Sequence, residues 1–227
     1  YAALAEGPGS FLQAVLMFRK KLSGGVKKDK YFGVTIHPEE GKFINIGKQF
    51  LNFYDERHPG LINIHKTYKI KSAAKYKSRD NGDITKVKTI SLFRKDIKKS
   101  KKYAHLVTAD GGFNWNDENY QEQEAYALII GEMLAAINVQ AKDGNFVLKI
   151  FDSYTKLTLK LVHILKLCYK DVYICKPLFS RESNSEKYVI CKNFKYDQKK
   201  DASKLADIRA GLETVLESMN NELFLND

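Results

Sequence analysis

Three charged side chains lie in or beside apolar segments, where a charge needs a partner. Lys149 lies inside the apolar run "FVLKIFD", Asp110 ends the run "HLVTADGG", and Glu186 begins "EKYVICK" after a turn rich in serine and asparagine. An unpaired buried charge is costly, so a lysine within a central strand must pair or reach a cleft. A lysine between two carboxylates is either a structural ion-pair cluster or a tuned general base, and the pattern leaves both open.

A sheet of parallel strands would bring these side chains together. Apolar runs predict strands over 1–6, 31–37, 60–65, 104–112, 145–152, 171–177 and 187–194, and helical patterns alternate with them over 10–22, 118–141, 154–168 and 202–220. This alternation predicts an α/β, doubly wound, mostly parallel sheet with helices on both faces. The link between the last two strands is too short for a helical crossover, so that pair should be antiparallel.

The connection between Asp110 and Lys149 makes a sharper prediction. One helix joins the strands that carry them, so these strands should be neighbours and both side chains should emerge at one edge. Glu186 could reach the same cleft. The 227 residues favour one domain, in which residues 37–102 read as an insertion or a set of long basic loops. The final helix should dock on the domain through one apolar stripe, formed by Leu205, Ile208, Leu212, Val215, Leu216 and Met219.

The first strand-to-helix turn, "EGPGS", lies where ligands contact an open parallel sheet. Gly7 and Gly9 would let the backbone approach a ligand, and the amides at the helix start favour a carboxylate or phosphate. A lone G-x-G is weak evidence, and an ordinary tight turn stays open. NAD is disfavoured, because Leu12 replaces a third glycine and His37 with Pro38 replaces the acid that ends the second strand.

The positive charge is concentrated in one segment. The net charge is +11, and residues 66–102 alone hold 14 Lys and Arg against 3 Asp. Such a segment attracts polyanions, so nucleic acid is the leading partner; a solvated lysine-rich face is the alternative.

Several classes of protein are disfavoured. No run approaches the roughly 18 to 20 apolar residues of a membrane span. The three cysteines, Cys168, Cys175 and Cys191, form neither a disulfide framework nor zinc spacing and fit a reducing compartment. The histidines show no ligand spacing, so we expect no metal.

An ordered set of motifs carries a family resemblance. The segments "AEGPGSF", "NGDIT", "TADGGF", "VLKIFD" and "KPLFSRESNSEKYVICK" together resemble the FtsJ-like RNA ribose 2'-O-methyltransferases. The likeness is closest to the cap-specific mRNA branch and covers residues 1–195. It implies a Rossmann-like methyltransferase fold with seven strands, S-adenosylmethionine as cofactor, and a Lys-Asp-Lys-Glu catalytic tetrad. Asp110, Lys149 and Glu186 match the last three members of that tetrad.

The resemblance also assigns binding residues. It places the cofactor on Asp83, on Asp110 and on the turn formed by Glu6, Gly7, Pro8, Gly9, Ser10 and Phe11. Read without the family, Asn81, Gly82 and Asp83 are just a turn. We expect RNA, in particular a capped mRNA 5' end, to contact Lys66, Lys69, Lys71, Lys75, Lys77, Arg79 and Arg181.

Two departures from the family pattern matter. The family has an acidic residue near the end of the second strand, which this chain lacks unless Glu39 reaches back. The first tetrad lysine lies before the glycine turn in the family, so we expect a missing segment upstream of Tyr1.

The rival functions are an inactive methyltransferase-like RNA-binding scaffold and an rRNA 2'-O-methyltransferase. The lysine-rich composition suggests a version from a large cytoplasmic DNA virus, in the host cytoplasm or the virion. There it would associate with other capping or transcription proteins and with no membrane.

Overall fold

A central sheet of seven strands organises the part of the chain that the structure describes. In this computed structural model that part comprises residues 1–22, 26, 28–36, 46–65, 80–112 and 116–225. The strands are β1 Ala2–Leu4, β2 Tyr31–Val34, β3 Ile62–Ile64, β4 Ala104–Ala109, β5 Gln140–Ile150, β6 Tyr169–Cys175 and β7 Lys187–Phe194.

The strand order is β3-β2-β1-β4-β5-β7-β6. Strands β1 to β5 pair in parallel, while β7 runs antiparallel to both β5 and β6. The predicted mostly parallel sheet and the antiparallel final pair are therefore confirmed. The predicted neighbourhood of the strands that lead to Asp110 and Lys149 is also confirmed, since β4 pairs with β5.

Helices cover both faces of the sheet. They are α1 Ser10–Lys21, α2 Lys48–Arg57, α3 Val87–Lys99, α4 Gln121–Glu124, α5 Tyr126–Val139, α6 Lys156–Cys168 and α7 Ala202–Leu225. The prediction of one helix over 118–141 was too simple. A 3-10 turn over Glu118–Tyr120 leads into α4, and α5 begins only after Ala125.

The reading of residues 37–102 as an insertion or a set of long basic loops missed two helices in the described part, α2 and α3, whereas β3 lies within the strand predicted over 60–65. Helix α3 buries Ile90, Phe93 and Ile97 at helical spacing and turns its lysines to solvent. The lysines obscured the stripe, because they lower the mean hydropathy of the segment without breaking its period.

Two clusters of buried side chains form the core. On one face Ala3 of β1 packs with Leu12 and Leu16 of α1. On the other face Ala2 and Leu4 join the cluster that contains α3 and α5, as the alternation of a strand requires. Residues 128–139 of α5 are all buried, because α7 covers the helix from outside.

The final helix docks as predicted, with one difference. Leu205, Leu212 and Leu216 are buried in the larger cluster, and Ile208 and Met219 pack against it. Val215, predicted to lie on the same stripe, is largely exposed. At 3.6 residues per turn, Val215 lies roughly 80° around the helix from Leu205, which places it at the outer edge of the stripe.

Candidate active site

The sheet register brings four chain segments to one edge. Leu4 pairs with Ala109, and Ala109 pairs with Leu148. The residues that follow these three positions therefore lie side by side at one edge of the sheet. Across the antiparallel pair, Lys149 lies opposite Tyr188, which places the start of β7 at the same edge. The glycine turn, Asp110, Lys149 and the residues before β7 thus share one surface of the protein.

Lys149 is the centre of this surface. The residue is only 8% exposed, and its Nζ lies 3.4 Å from Asp110 Oδ1 and 3.3 Å from Glu186 Oε1. Nζ also donates to the main-chain oxygen of Asp110 at 3.4 Å. A buried ammonium is tolerated where opposite charges and hydrogen bonds replace its water. The structure therefore brings together the three residues singled out in the sequence, and their catalytic role stays a prediction.

Tyr188 adds a hydrogen bond that the sequence analysis missed. Its hydroxyl donates to Asp110 Oδ1 at 3.0 Å. Burial raises the pKa of Tyr188, and the neighbouring Asp110 acts in the same direction, so the hydroxyl keeps its proton. The signal was present in the sequence, because side chains two residues apart on a strand share a face and Tyr188 follows Glu186 by two.

Glu132 is a second residue that the sequence analysis missed. It is 1% exposed in α5, and its Oε1 accepts the N–H of Gly111 at 3.0 Å. Burial raises the pKa of Glu132 to about 8, against the opposing effects of the Gly111 N–H and the charge of Lys149. The side chain is therefore mostly a neutral acid at neutral pH. A side-chain carbon at Gly111 would lie 2.5 Å from Oε1, so the fit is close.

The glycine turn is held from inside by Glu6. Its Oε1 accepts the N–H groups of Phe11 at 3.0 Å and Leu12 at 3.3 Å, and the residue is buried. Burial raises the pKa of Glu6, although these two N–H groups oppose the rise. The helix-start amides of Phe11 and Leu12 thus bind a carboxylate of the protein itself, and the predicted contact of Phe11 with the cofactor stays a prediction. The Glu6 carboxylate acts as an internal helix cap.

The remaining backbone of the turn faces outward. Gly7, Pro8 and Ser10 are exposed, while Gly9 is buried with a φ of 108°, and a side-chain carbon there would lie 3.0 Å from Ile46 Cγ2. A backbone of this shape requires glycine, since other residues rarely adopt a positive φ. The turn therefore lies at the protein surface, and Gly7 carries no side chain that would keep a ligand from its backbone.

Asp83 lies in the turn that leads into α3. Its Oδ1 accepts from Thr85 N at 2.9 Å and Thr85 Oγ1 at 2.7 Å. Oδ2 accepts no hydrogen bond among the described residues. The interpretation as a turn is thus confirmed, and the predicted contact with the cofactor adenine uses the second oxygen and stays a prediction.

The loop before β7 forms hydrogen bonds both within the site and with a neighbouring helix. Asn184 Nδ2 donates to Glu186 Oε2 at 3.0 Å, and Ser185 Oγ donates to Gln121 Oε1 at 2.5 Å. Arg181 of this loop is exposed. The other RNA-binding residues predicted from the sequence lie outside the described residues; they are Lys66, Lys69, Lys71, Lys75, Lys77 and Arg79. Glu39 also lies outside the described residues.

Other kinds of site are absent from the part of the chain that is described. No group of three or more metal-ligating side chains occurs among residues 1–22, 26, 28–36, 46–65, 80–112 and 116–225. Over the same ranges, the helices are too short or too polar to cross a bilayer. The three cysteines carry free thiols.

A family model and two curated relatives match most of this chain. A family model described as FtsJ-like methyltransferase matches residues 2–194. Cap-specific mRNA (nucleoside-2'-O-)-methyltransferase 1 of Homo sapiens is 32% identical over 203 residues, which are 86% of this chain and 21% of that protein. The Bos taurus protein of the same name is 37% identical over 203 residues, with the same coverage of 86% and 21%.

A solved structure supports the fold. A protein of Plasmodium falciparum, provisionally named a ribosomal RNA methyltransferase, matches with a TM-score of 0.53 at 18% identity and covers 85% of both chains. The present chain spans about a fifth of the length of its curated relatives. Both relatives are animal proteins, and the expected viral origin stays a prediction.

Proposed function

Because the chain belongs to the FtsJ-like methyltransferase family, we propose that it transfers a methyl group from S-adenosylmethionine to the 2'-hydroxyl of an RNA ribose. Methyltransferases of this family use that cofactor. The finer proposal is that the acceptor lies at the capped 5' end of an mRNA. It is supported by the names of the relatives that are 32% and 37% identical and by the motif "SRESNSEKYVICK".

One observation carries the proposal. Lys149 is held between Asp110 and Glu186, with Nζ to oxygen distances of 3.4 and 3.3 Å, at the edge where the glycine turn also ends. A structural ion-pair cluster could also occur in a scaffold, but this one lies at the sheet edge beside the glycine turn, where ligands bind an open parallel sheet. The arrangement therefore favours an enzyme over the inactive scaffold.

The cofactor site fits the residues that are present. The exposed backbone of Gly7 and Ser10 can approach the methionine part closely, and Asp83 keeps one carboxylate oxygen without a protein partner among the described residues. S-adenosylmethionine, when bound, supplies an electrophilic methyl group on a sulfonium. The protein must then hold the ribose 2'-oxygen in line with that methyl and help its proton to leave.

The chain's own residues divide this task. Lys149 is the base or the main electrostatic guide for the 2'-hydroxyl. Asp110 and Glu186 fix the direction of the Lys149 amine, and the Tyr188 hydroxyl donates at 3.0 Å to Oδ1, the same Asp110 oxygen that faces Lys149. Beneath them, Glu132 fixes the backbone at Gly111. Because every member is held by a neighbour, the site is organised before substrate arrives.

Calorimetric titration with S-adenosylmethionine tests the cofactor site. Gly9→Asp should lose binding, since aspartate cannot easily adopt a φ of 108° and its side chain would meet Ile46. Gly211→Ala is the matched control, because Gly211 lies in α7 with nothing within 4 Å of the added carbon. We expect the control to bind like the wild type. Equal affinity in the Gly9 variant would place the cofactor elsewhere and contradict the proposal.

A further inference from the structure

Two loops beside Lys149 expose large nonpolar side chains to water. Tyr154, in the link between β5 and α6, is 85% exposed, while Leu178 and Phe179, in the link between β6 and β7, are 97% and 103% exposed. Isolated exposed nonpolar residues are ordinary on protein surfaces. Here two almost fully exposed aromatic rings lie on the segments that follow β5 and precede β7, the strands next to Lys149 and Glu186. Their position beside the candidate active site suggests that they contact a ligand.

The backbone that carries Tyr154 is anchored although its ring is free. Glu122 is buried, and its carboxylate accepts Tyr154 N at 3.2 Å, Thr155 N at 3.0 Å and Thr158 Oγ1 at 2.6 Å. Thr155 in turn caps the first turn of α6 by accepting from Thr158 N. Because the backbone is already fixed, only the side-chain rotamers of Tyr154 have to be ordered on binding, which favours affinity.

The backbone around Phe179 is closed in a similar way. Ser180 N donates to Pro177 O at 3.0 Å, and Ser180 Oγ donates to Asn184 Oδ1 at 3.2 Å. Lys176 Nζ donates across the loop to the main-chain oxygens of Asn184 and Glu186 at 2.7 and 2.9 Å. The loop is therefore a compact turn that holds Leu178 and Phe179 outward.

Hydrogen bonds connect both loops to the catalytic residues. Asn184 of the Phe179 loop donates to Glu186, whose other oxygen pairs with Lys149. Lys187 at the start of β7 pairs with Asp152, two residues before Tyr154. The rings of Tyr154 and Phe179 thus belong to the same connected structure as the site that would receive the ribose.

From this placement we infer that Tyr154 and Phe179 stack on nucleobases of single-stranded RNA next to the acceptor nucleotide. The inference rests on the proposed function and extends it to the binding of the substrate. Aromatic rings are the groups on which proteins stack unpaired bases, and such stacking tolerates any base. The exposed Arg181 lies two residues after Phe179 and can neutralise a phosphate of the same strand.

Fluorescence anisotropy with a short, labelled single-stranded RNA tests the inference without requiring turnover. We expect Tyr154→Ala and Phe179→Ala each to weaken RNA binding by about 5- to 150-fold, the range of one base stack. Phe179→Trp should retain affinity, because it restores a ring. Phe18→Ala is the control, since Phe18 is 65% exposed on α1 and outside the two loops.

An RNA with abasic sites beside the acceptor nucleotide makes the test specific for bases. The wild type should bind it more weakly than the intact RNA, and the doubly substituted protein should bind both alike. The inference would be overturned if both alanine variants bound RNA within about twofold of the wild-type affinity, because the loss of one base stack should weaken binding by more than that. It would also be overturned if the wild type bound no RNA. Failure of the proposed function is recognised separately, as an absence of S-adenosylmethionine binding in the same wild-type protein.

Discussion

Replacing Glu132 by glutamine should make the protein's stability less sensitive to alkaline pH. Glu132 is buried in α5, and its Oε1 accepts the Gly111 N–H. A glutamine keeps the size of the side chain and an oxygen that can accept this bond. The substitution therefore removes only the titratable proton.

The size of the effect follows from the pKa of Glu132, which burial raises from 4.5 to about 8. Between these values the folded protein binds a proton that the unfolded chain has released, so the free energy of unfolding falls as the pH rises. One pKa unit corresponds to about 1.36 kcal/mol, so the wild type loses about 2 kcal/mol through this group between about pH 6 and pH 8. The glutamine variant does not incur this loss.

Urea unfolding of both proteins at several pH values, followed by circular dichroism, measures the difference. All other titrating groups are shared, so the stability of Glu132→Gln relative to the wild type should rise by about 2 kcal/mol across that range. Glu217→Gln is the control, because Glu217 is exposed on α7 and its carboxylate meets water in both states. A relative stability of Glu132→Gln that stays constant with pH would refute a neutral Glu132 in the folded protein.

Two more substitutions test contacts around the site. Tyr188→Phe removes the hydroxyl that donates to Asp110. We expect methyl transfer to slow by about tenfold, because one hydrogen bond to a charged group contributes roughly 1.5 kcal/mol. Calorimetry should show an unchanged affinity for S-adenosylmethionine. Glu122→Gln should lower the free energy of unfolding by about 2 to 4 kcal/mol, because the amide NH2 cannot accept the hydrogen bond from Tyr154 N and the bonds from Thr155 and Thr158 no longer end on a charged group. Burial alone would raise the pKa of Glu122, yet hydrogen bonds from Thr158, Thr155 and Tyr154 together lower it, so this difference should shrink in acid as the wild-type carboxylate protonates. Thermal unfolding at neutral and acid pH would show a constant difference if that explanation were wrong.

The sheet could be predicted because its signals are local or depend only on connection length. Short apolar runs separated by helical patterns favour a parallel sheet, and the link between β6 and β7 was too short for anything but an antiparallel pair. Helix α3 was missed for the opposite reason. Its apolar stripe is narrow, and the lysines on its outer face dominate any average over the segment.

For the site residues too, prediction depended on whether the signal is local in the sequence. Asp110, Lys149 and Glu186 could be found from the sequence because each is a charge in or beside an apolar strand. Glu132 could not be placed in the site, because its partner is the main-chain N–H of Gly111, 21 residues earlier, and no residue type marks a backbone donor. Glu6 was assigned to the cofactor by the family resemblance, and the sequence could not show that its carboxylate accepts the N–H groups of Phe11 and Leu12.

The most direct test of the proposed reaction is to locate the methyl group on the RNA product. Capped RNA is incubated with the protein and isotopically labelled S-adenosylmethionine, digested to nucleosides and analysed by mass spectrometry, with Lys149→Ala in parallel. We predict label on the ribose 2'-oxygen with the wild type and a loss of turnover of at least tenfold in the variant, with cofactor affinity kept within a few fold. Label on a base, or a variant that keeps more than about a tenth of wild-type activity, would contradict the role assigned to Lys149.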